Sequence, residues 1–456
     1  MNARTCSVIV VCFVSALGAL GATVSATWTG AGDGLNYSVP ANWDIGVVPL
    51  NDPNTLYNVI IGTNKSVRFD VDNPSTVQDF SLGAGRTFTV NPGHALTVAD
   101  ASAIAGWIKV DNSAFTSAAP GAALSGTTAR AEVLGGGDVA IAATTYSAVG
   151  LSTCCTPHVI LSADGLGSTL DLHTLQSLNA GFNDGNGNVL YHRVNATNSG
   201  SINLAGLQTV TGPVRVEDYL EFQIKTGATI DLSGLQTINS AGSGITRFNI
   251  DVPSFALPSL TEANGVRFDL FTDSTWDFIA LASLQNATIK LSSGAELSMP
   301  ALVETSGGTW TWPTPGPTRA ITAIDVPNLI AMNAVVLNLA SDGVLNAPAL
   351  SSFTGSSVAL APGRTFTVAP LVNIDNSRIA VSGAMTWAGL APAASTYSST
   401  LLSSCCGPYT LFSASGPSVL DLSPLTQINA GREGFNGNIN VHRIEALAGG
   451  HVEHPQ

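Results

Sequence analysis

The chain has 456 residues, 45% of them apolar and 11% charged, with 31 acidic against 17 basic side chains and a net charge of −14. So much apolar surface excludes a disordered chain, and so acidic a balance disfavours phosphate backbones and anionic lipid as partners. Long amphipathic helices need charged residues on their wet face, and their scarcity here argues against a helical protein.

The first residues, MNARTCSVIVVCFVSALGALGATVSA, place Arg4 before an apolar run from Ser7 to about Leu20 and close on Val24-Ser25-Ala26. That is the layout of a secretory signal peptide over 1–26, with cleavage expected after Ala26 and Ala22 as the alternative. The run is short for a membrane span, and no later stretch reaches the ~18–20 apolar residues a span requires.

A capping segment is expected over 27–62. It opens on TWTGAGDGLNYSVPANWDIGVVP (27–49), with Trp28, Gly30, Gly32, Asp33, Asn42, Trp43, Gly46 and Pro49 as its landmarks. These residues resemble the opening motif of large secreted bacterial β-helix proteins, the autotransporter-like repeat proteins and planctomycete-type surface proteins. The resemblance implies an extracellular or cell-surface location and a capping role for Trp28 and Trp43. Physically, a stacked fold has an open first layer, and bulky aromatics can cover it. Further on, Asp70 and Asp72 in RFDVDNP lie on one side of a presumed strand. Paired acids there could hold calcium or act on polysaccharides, but solvated edge charges are the favoured reading.

Two scales of repetition follow. GSTLDLHTLQSLNAG (167–181) matches PSVLDLSPLTQINAG (417–431), and NGNVLYHRV (186–194) matches NGNINVHRI (436–444), both at an offset of 250. GRTFTV occurs at 85–90 and again at 363–368. A block of about 82–194 is thus duplicated at about 360–444. Within the middle of the chain, phrases such as FALPSLTEA, LSMPALVET and IDVPNLIAM share a frame of apolar residue, Pro or small residue, any residue, then Leu. In that frame Pro258, Ala282, Pro300, Pro327, Pro348 and Pro370 correspond, about 22 residues apart. Alternating segments such as VRFDLF and ATIKLS mark strands between them. The region from about 200 to 372 also resembles solenoids with leucine-rich or receptor-L-like phrasing.

A strand–corner–strand unit of that size cannot bury its own apolar face and must stack on copies of itself. The expected fold is all-β, a right-handed parallel β-helix of roughly 22-residue coils over 63–456, giving about 18 to 20 coils. A set of β-sandwich domains is the alternative.

On such a rod the adjacent pairs Cys154–Cys155 and Cys405–Cys406 lie 251 residues apart, or about 11 coils and roughly 50 Å. A disulfide needs Cα atoms within about 7 Å, so the two pairs cannot bridge one another. A vicinal disulfide within each pair is favoured, because Thr156-Pro157 and Gly407-Pro408 suit a turn; free thiols or intermolecular bridges remain open. His158 near the first pair could suggest zinc, but Tyr409 stands at the matching place, and His192 and His442, which do match, are expected to cap coils or face solvent. NDGNGN (183–188) has oxygen-rich calcium-loop character without the Glu of an EF-hand, so a Gly-Asn turn is preferred and calcium is the weaker alternative. Trp310 and Trp312 in TWTWPTP fall on one face of a strand, where paired indoles could stack on sugar rings or fill a core. No Ser/His/Asp elbow, phosphate-cradling loop or metal-ligand spacing is present.

These features point to a secreted or surface-associated structural or adhesive protein, with extracellular polysaccharide or other surface proteins as its partners and no nucleic acid. A β-helical polysaccharide lyase or glycoside hydrolase, or a carbohydrate-binding module, is the alternative.

Overall fold

A computed structural model describes residues 21–62, 66–72, 75–150, 156–185, 187–313, 321–340, 342–400, 408–430 and 441–454, with the side chain of residue 118 also outside the description. The described chain is a parallel β-helix. Each coil passes through three sides in a fixed order. Tyr191–Thr197 runs along the first side, Ser201–Asn203 along the second and Thr209–Gly212 along the third. The next coil then starts at Tyr219–Ile224, directly on top of Tyr191–Thr197 and parallel to it. Longer strands such as Ala114–Ser125 and Ser283–Leu291 bend through two sides and hydrogen-bond the walls into one 33-stranded sheet.

The first side carries sixteen stacked strands, from Val67–Phe69 to Val441–Leu447. Fifteen steps of ~4.8 Å make a ladder of about 72 Å. Sixteen rungs fall below the roughly 18 to 20 coils expected because several coils run well beyond 22 residues. Tyr191 follows Pro157 by 34 residues, and Val441 follows Pro408 by 33.

One inward row explains the stack. Val67, Phe88, Ile108, Ala131, Leu161 and Val194 lie in register, and Phe222, Phe248, Phe268, Ile289, Trp310 and Leu337 continue the same row. All are buried. Parallel in-register pairing repeats a side chain's environment at every rung, so one row of apolar residues forms a continuous core. Phe222 and Phe248 stack at 5.2 Å, and Phe248 and Phe268 lie 5.4 Å apart. At the last described rung, Ile444 is 45% exposed.

The corner between the second and third sides is a four-residue turn. The backbone N–H of Leu175 donates to Leu172 O, that of Leu260 to Leu257 O, of Leu302 to Met299 O and of Leu329 to Val326 O. The first and fourth residues of each turn point inward and are buried. Its second residue faces solvent, and there Pro258, Pro300, Pro327 and Pro348 supply a preset φ. At four other corners, where the second residue keeps its N–H, an Asp or Asn two positions earlier binds it. His173 N donates to Asp171 Oδ1, Ala205 N to Asn203 Oδ1, Ser233 N to Asp231 Oδ1 and Ser423 N to Asp421 Oδ1. Proline and the Asx turn are thus alternative devices for one bend.

This geometry corrects the sequence frame at two places. Asp277 pairs with Ala256, and Leu281 N donates to Phe278 O, so Ile279, and not Ala282, corresponds to Pro258. Val368 pairs with Ala347, which places Ala369 rather than Pro370 opposite Pro348. The corners at 258, 279, 300, 327 and 348 are then 21, 21, 27 and 21 residues apart.

The duplication is visible in the backbone. A register shift between Val159 and Leu161 recurs between Thr410 and Phe412. In each copy the extra residue of the bulge, Ile160 or Leu411, is buried.

Candidate functional site: a cation-bearing sheet

Every Lys and Arg that falls within a described strand, nine in all, lies on the first side of the rod. Arg68, Lys109 and Arg130 occupy its N-terminal part, Arg193, Arg247, Arg267 and Lys290 its middle, and Arg378 and Arg443 its C-terminal part. The strands of the second side carry eight carboxylates, among them Asp171, Asp231, Asp325 and Asp421, and no Lys or Arg. The strands of the third side have no Lys or Arg either. The first-side strands also carry six carboxylates, Asp111, Glu132, Asp164, Glu221, Asp269 and Glu445, so an acidic rod has one side with a positive excess among its described strands.

The middle of that side is a charge network. Arg193 Nη2 lies 2.6 Å from Glu221 Oε2, and Arg247 Nη1 lies 3.5 Å from Glu221 Oε1. Arg247 Nε reaches Asp269 Oδ2 at 2.7 Å, and Arg267 Nε reaches Asp269 Oδ1 at 2.9 Å. Asn249 Nδ2 donates to Glu221 as well. The register Arg193–Glu221–Arg247–Arg267 follows directly from the pairing of four successive strands. In each pair the cation is the more exposed partner. The Arg193 side chain is 21% exposed against 1% for Glu221, and Arg267 is 29% exposed against 14% for Asp269. The carboxylates lie beneath, so solvent meets N–H donors. Tyr191 and Tyr219 stack at 4.4 Å beside this network, with the Arg193 guanidinium over Tyr191 and that of Arg247 over Tyr219. Toward the C-terminal end the same side dips into a groove of about 300 Å³, floored by Ser357, Ala359, Ala380 and Ser413, with Arg378 at its wall.

No family model matches this chain, and comparison with curated proteins and with solved structures finds no match.

The residues singled out in the sequence fall elsewhere. At the N-terminal end, Trp28 and Trp43 are buried, with rings 5.0 Å apart and edge-to-face. The motif around them is held by Asn42. Its Oδ1 accepts from Gly32 N and Gly34 N, and its Nδ2 donates to Asp33 Oδ1 and Asn36 O. That contact, with backbone N–H donors at Leu35 and Asn36, holds the Asp33 carboxyl down to about 2. Tyr37, which the sequence did not single out, sits at the centre. It is fully buried, donates to Pro49 O and contacts Trp43 and Phe69 edge-to-face. Asp70 accepts from the Ser38 backbone N–H and hydroxyl, which ties the opening segment to the first coils. Strand Ala22–Thr27 pairs with Thr55–Ile61, so both the end of the expected leader and the end of the expected cap are rungs of the ladder.

Trp310 and Trp312 do not form a sugar-stacking surface. They are 0% and 3% exposed, and Trp310 occupies the inward row between Ile289 and Leu337. All four cysteines after the leader, Cys154, Cys155, Cys405 and Cys406, lie outside the described residues. The strands that follow them, Pro157–Asp164 and Pro408–Ser415, are ten rungs apart on the first side, about 48 Å. Among the described residues no cluster of three His, Cys, Asp or Glu side chains could hold a metal ion. In the NDGNGN segment, where residue 186 is outside the description, Asp184 Oδ1 faces Arg215 Nε at 3.6 Å.

His158 and His192 form a buried pair with ring centroids 5.1 Å apart. Arg130 Nη2 donates to His158 Nδ1, and His192 Nε2 donates to Gly150 O. Burial, and after it the nearby Arg130, push His158 down to about 4; burial likewise lowers His192 to about 4 against the Gly150 contact. In the second copy His442 Nδ1 meets Ala430 O at 2.8 Å.

Proposed function

We propose that this protein is a secreted, surface-associated structural and adhesive rod. The observation that carries the reading is a continuous wall of about 72 Å on which charge is sorted by side, a surface suited to contact along its length rather than to one pocket. The leader-like N-terminus and the opening motif support an extracellular or cell-surface location, with polysaccharide or other surface proteins as partners. A lyase or hydrolase needs carboxylates or bases that reach a glycosidic bond. Glu221 lies behind Arg193 and Arg247 and is 1% exposed, so it is held as a structural counter-ion. Fold alone supplies no activity.

The test is protease shaving of intact source cells, combined with an adhesion assay on polysaccharide-coated surfaces. Release of fragments from outside the cell and loss of adhesion on deletion are expected. Retention in the cytoplasm, or release of new reducing ends from a glycan by the purified chain, would overturn the reading.

A further inference from the structure

We propose that the cation-bearing side is the binding face, and that its ligand is a linear anionic polysaccharide lying along the rod axis. This rests on the adhesive reading above and names the ligand class for it. Arg193, Arg247, Arg267 and Lys290 fall within four rung steps, about 19 Å, and only Glu221 and Asp269 answer them there. The excess of two positive charges is what solvent sees, because both carboxylates are the less exposed members of their pairs. Lys290 projects outward in register with Asp269. Toward the N-terminal end Arg68, Lys109 and Arg130 are matched by Asp111, Glu132 and Asp164, but toward the C-terminal end Arg378 and Arg443 face only Glu445, and the groove lined by small residues beside Arg378 gives a chain room to lie close to the wall. A ligand that carries one charge after another along a line matches this arrangement better than a compact anion does.

Neutral sugars are disfavoured. The rings of Tyr191 and Tyr219 are stacked on each other and covered by guanidiniums, which leaves little open face for a pyranose. Nucleic acid is disfavoured by charge density, since a duplex carries one charge per ~1.7 Å whereas this face offers an excess of two over about 19 Å. The acidic side of a second copy is the remaining competitor. Its Asp171, Asp231 and Asp421 already accept backbone N–H groups at their own corners, which restricts their turning toward a partner.

The experiment measures binding of the full chain to alginate (carboxylated), dextran sulfate (sulfated) and dextran (neutral) at 50 and 200 mM NaCl. Binding to one or both polyanions and not to dextran is expected, weakening by roughly 50-fold across that salt range if about four charges are neutralised with the slope known for single strands. The Lys290→Gln/Arg267→Gln variant should bind about tenfold more weakly with unchanged circular dichroism, while Asp231→Asn, which keeps the corner acceptor, should bind as wild type. Equal binding to dextran, or wild-type affinity in the double variant, would refute the assignment of ligand or face and leave the adhesive reading standing. If the chain binds none of the three and instead self-associates in sedimentation, reversibly with salt, the face is a contact between copies and the proposal fails. Absence of both binding and association would remove the adhesive reading too.

Discussion

Lowering the pH should loosen the rod first around His158 and His192. Both histidines are neutral in the folded chain, one accepting from Arg130 and the other donating to Gly150 O. Their folded values of about 4 lie below the 6.5 of an exposed imidazole. The unfolded segment therefore binds more protons than the folded one between these limits, and stability falls as pH drops from 6.5 toward 4. At 1.36 kcal/mol per pH unit, the drop to about 4 represents about 3 kcal/mol for His192. His158, less enclosed and beside a guanidinium, contributes a smaller part. The range from 6.5 to 5 lies above the ordinary carboxylate range, so it reports mainly on the pair and should cost about 2 kcal/mol. Solenoids open locally, so the readout is hydrogen exchange at the amides of Leu161–Ala163 and Val194–Ala196 at pH 6.5 and 5, corrected for intrinsic rates. His192→Phe, which keeps an aromatic ring against Phe182, should remove most of the pH dependence. An unchanged pH slope in that variant would show that the buried pair is not the group being titrated.

Three further outcomes are expected. Asn42→Ala removes four hydrogen bonds, one of them to the Asp33 carboxylate, and should cost about 3–5 kcal/mol locally. Exchange at Thr23–Thr27 would report it, and full protection there would contradict the role of Asn42. Ile279→Pro, at a solvent-facing second turn position where three neighbouring corners have Pro, should be neutral or stabilising by up to about 1 kcal/mol; a loss above about 3 kcal/mol would return the corner to Ala282. N-terminal sequencing of exported protein should begin at or before Thr23, because cleavage after Ala26 would remove five of the six residues paired with Thr55–Ile60. A mature chain starting at Thr27 would refute the first rung.

The stacked architecture was legible because its two requirements are local: alternation within strands and a Leu–Pro–x–Leu corner between them. The frame slipped at 278–284 because LASL imitates a corner while the true one, FIAL, carries an exposed Ile279 in the Pro position. Trp310 and Trp312 were placed on one face, but whether it was the inner or the outer one stayed open. Gly307 and Gly308 both take positive φ and bend the strand Glu304–Thr311, after which inward and outward cannot be assigned by counting. Within the opening motif Tyr37 was passed over because its partners, Pro49, Phe69 and Phe88, are distant in sequence. The cationic side was invisible for the same reason. Arg193, Arg247 and Lys290 look scattered until coils of unequal length put them on one wall.

That sorting of charge has a physical origin in the ladder itself. In-register stacking places equivalent residues about 4.8 Å apart, so a row of like charges would repel itself. On the second side the row Asp171–Asn203–Asp231 separates its carboxylates with an amide, and Asn346 Nδ2 donates to Asp325 Oδ1 at 2.6 Å. What those corners need is a side-chain acceptor for a backbone N–H, which Asp and Asn supply equally. Asp171, Asp231 and Asp421 thus follow from turn geometry, and amides dilute the row. The first side has no such corner role at Arg193, Arg247 or Arg267, and it alternates guanidinium with buried carboxylate instead. Arg193 and Arg247 neutralise the buried Glu221, whereas Arg267 continues a row in which Thr288 and Thr309 carry no charge. What remains after that pairing, Arg267 and Lys290 against Asp269, is the part of the wall that the double variant Lys290→Gln/Arg267→Gln removes.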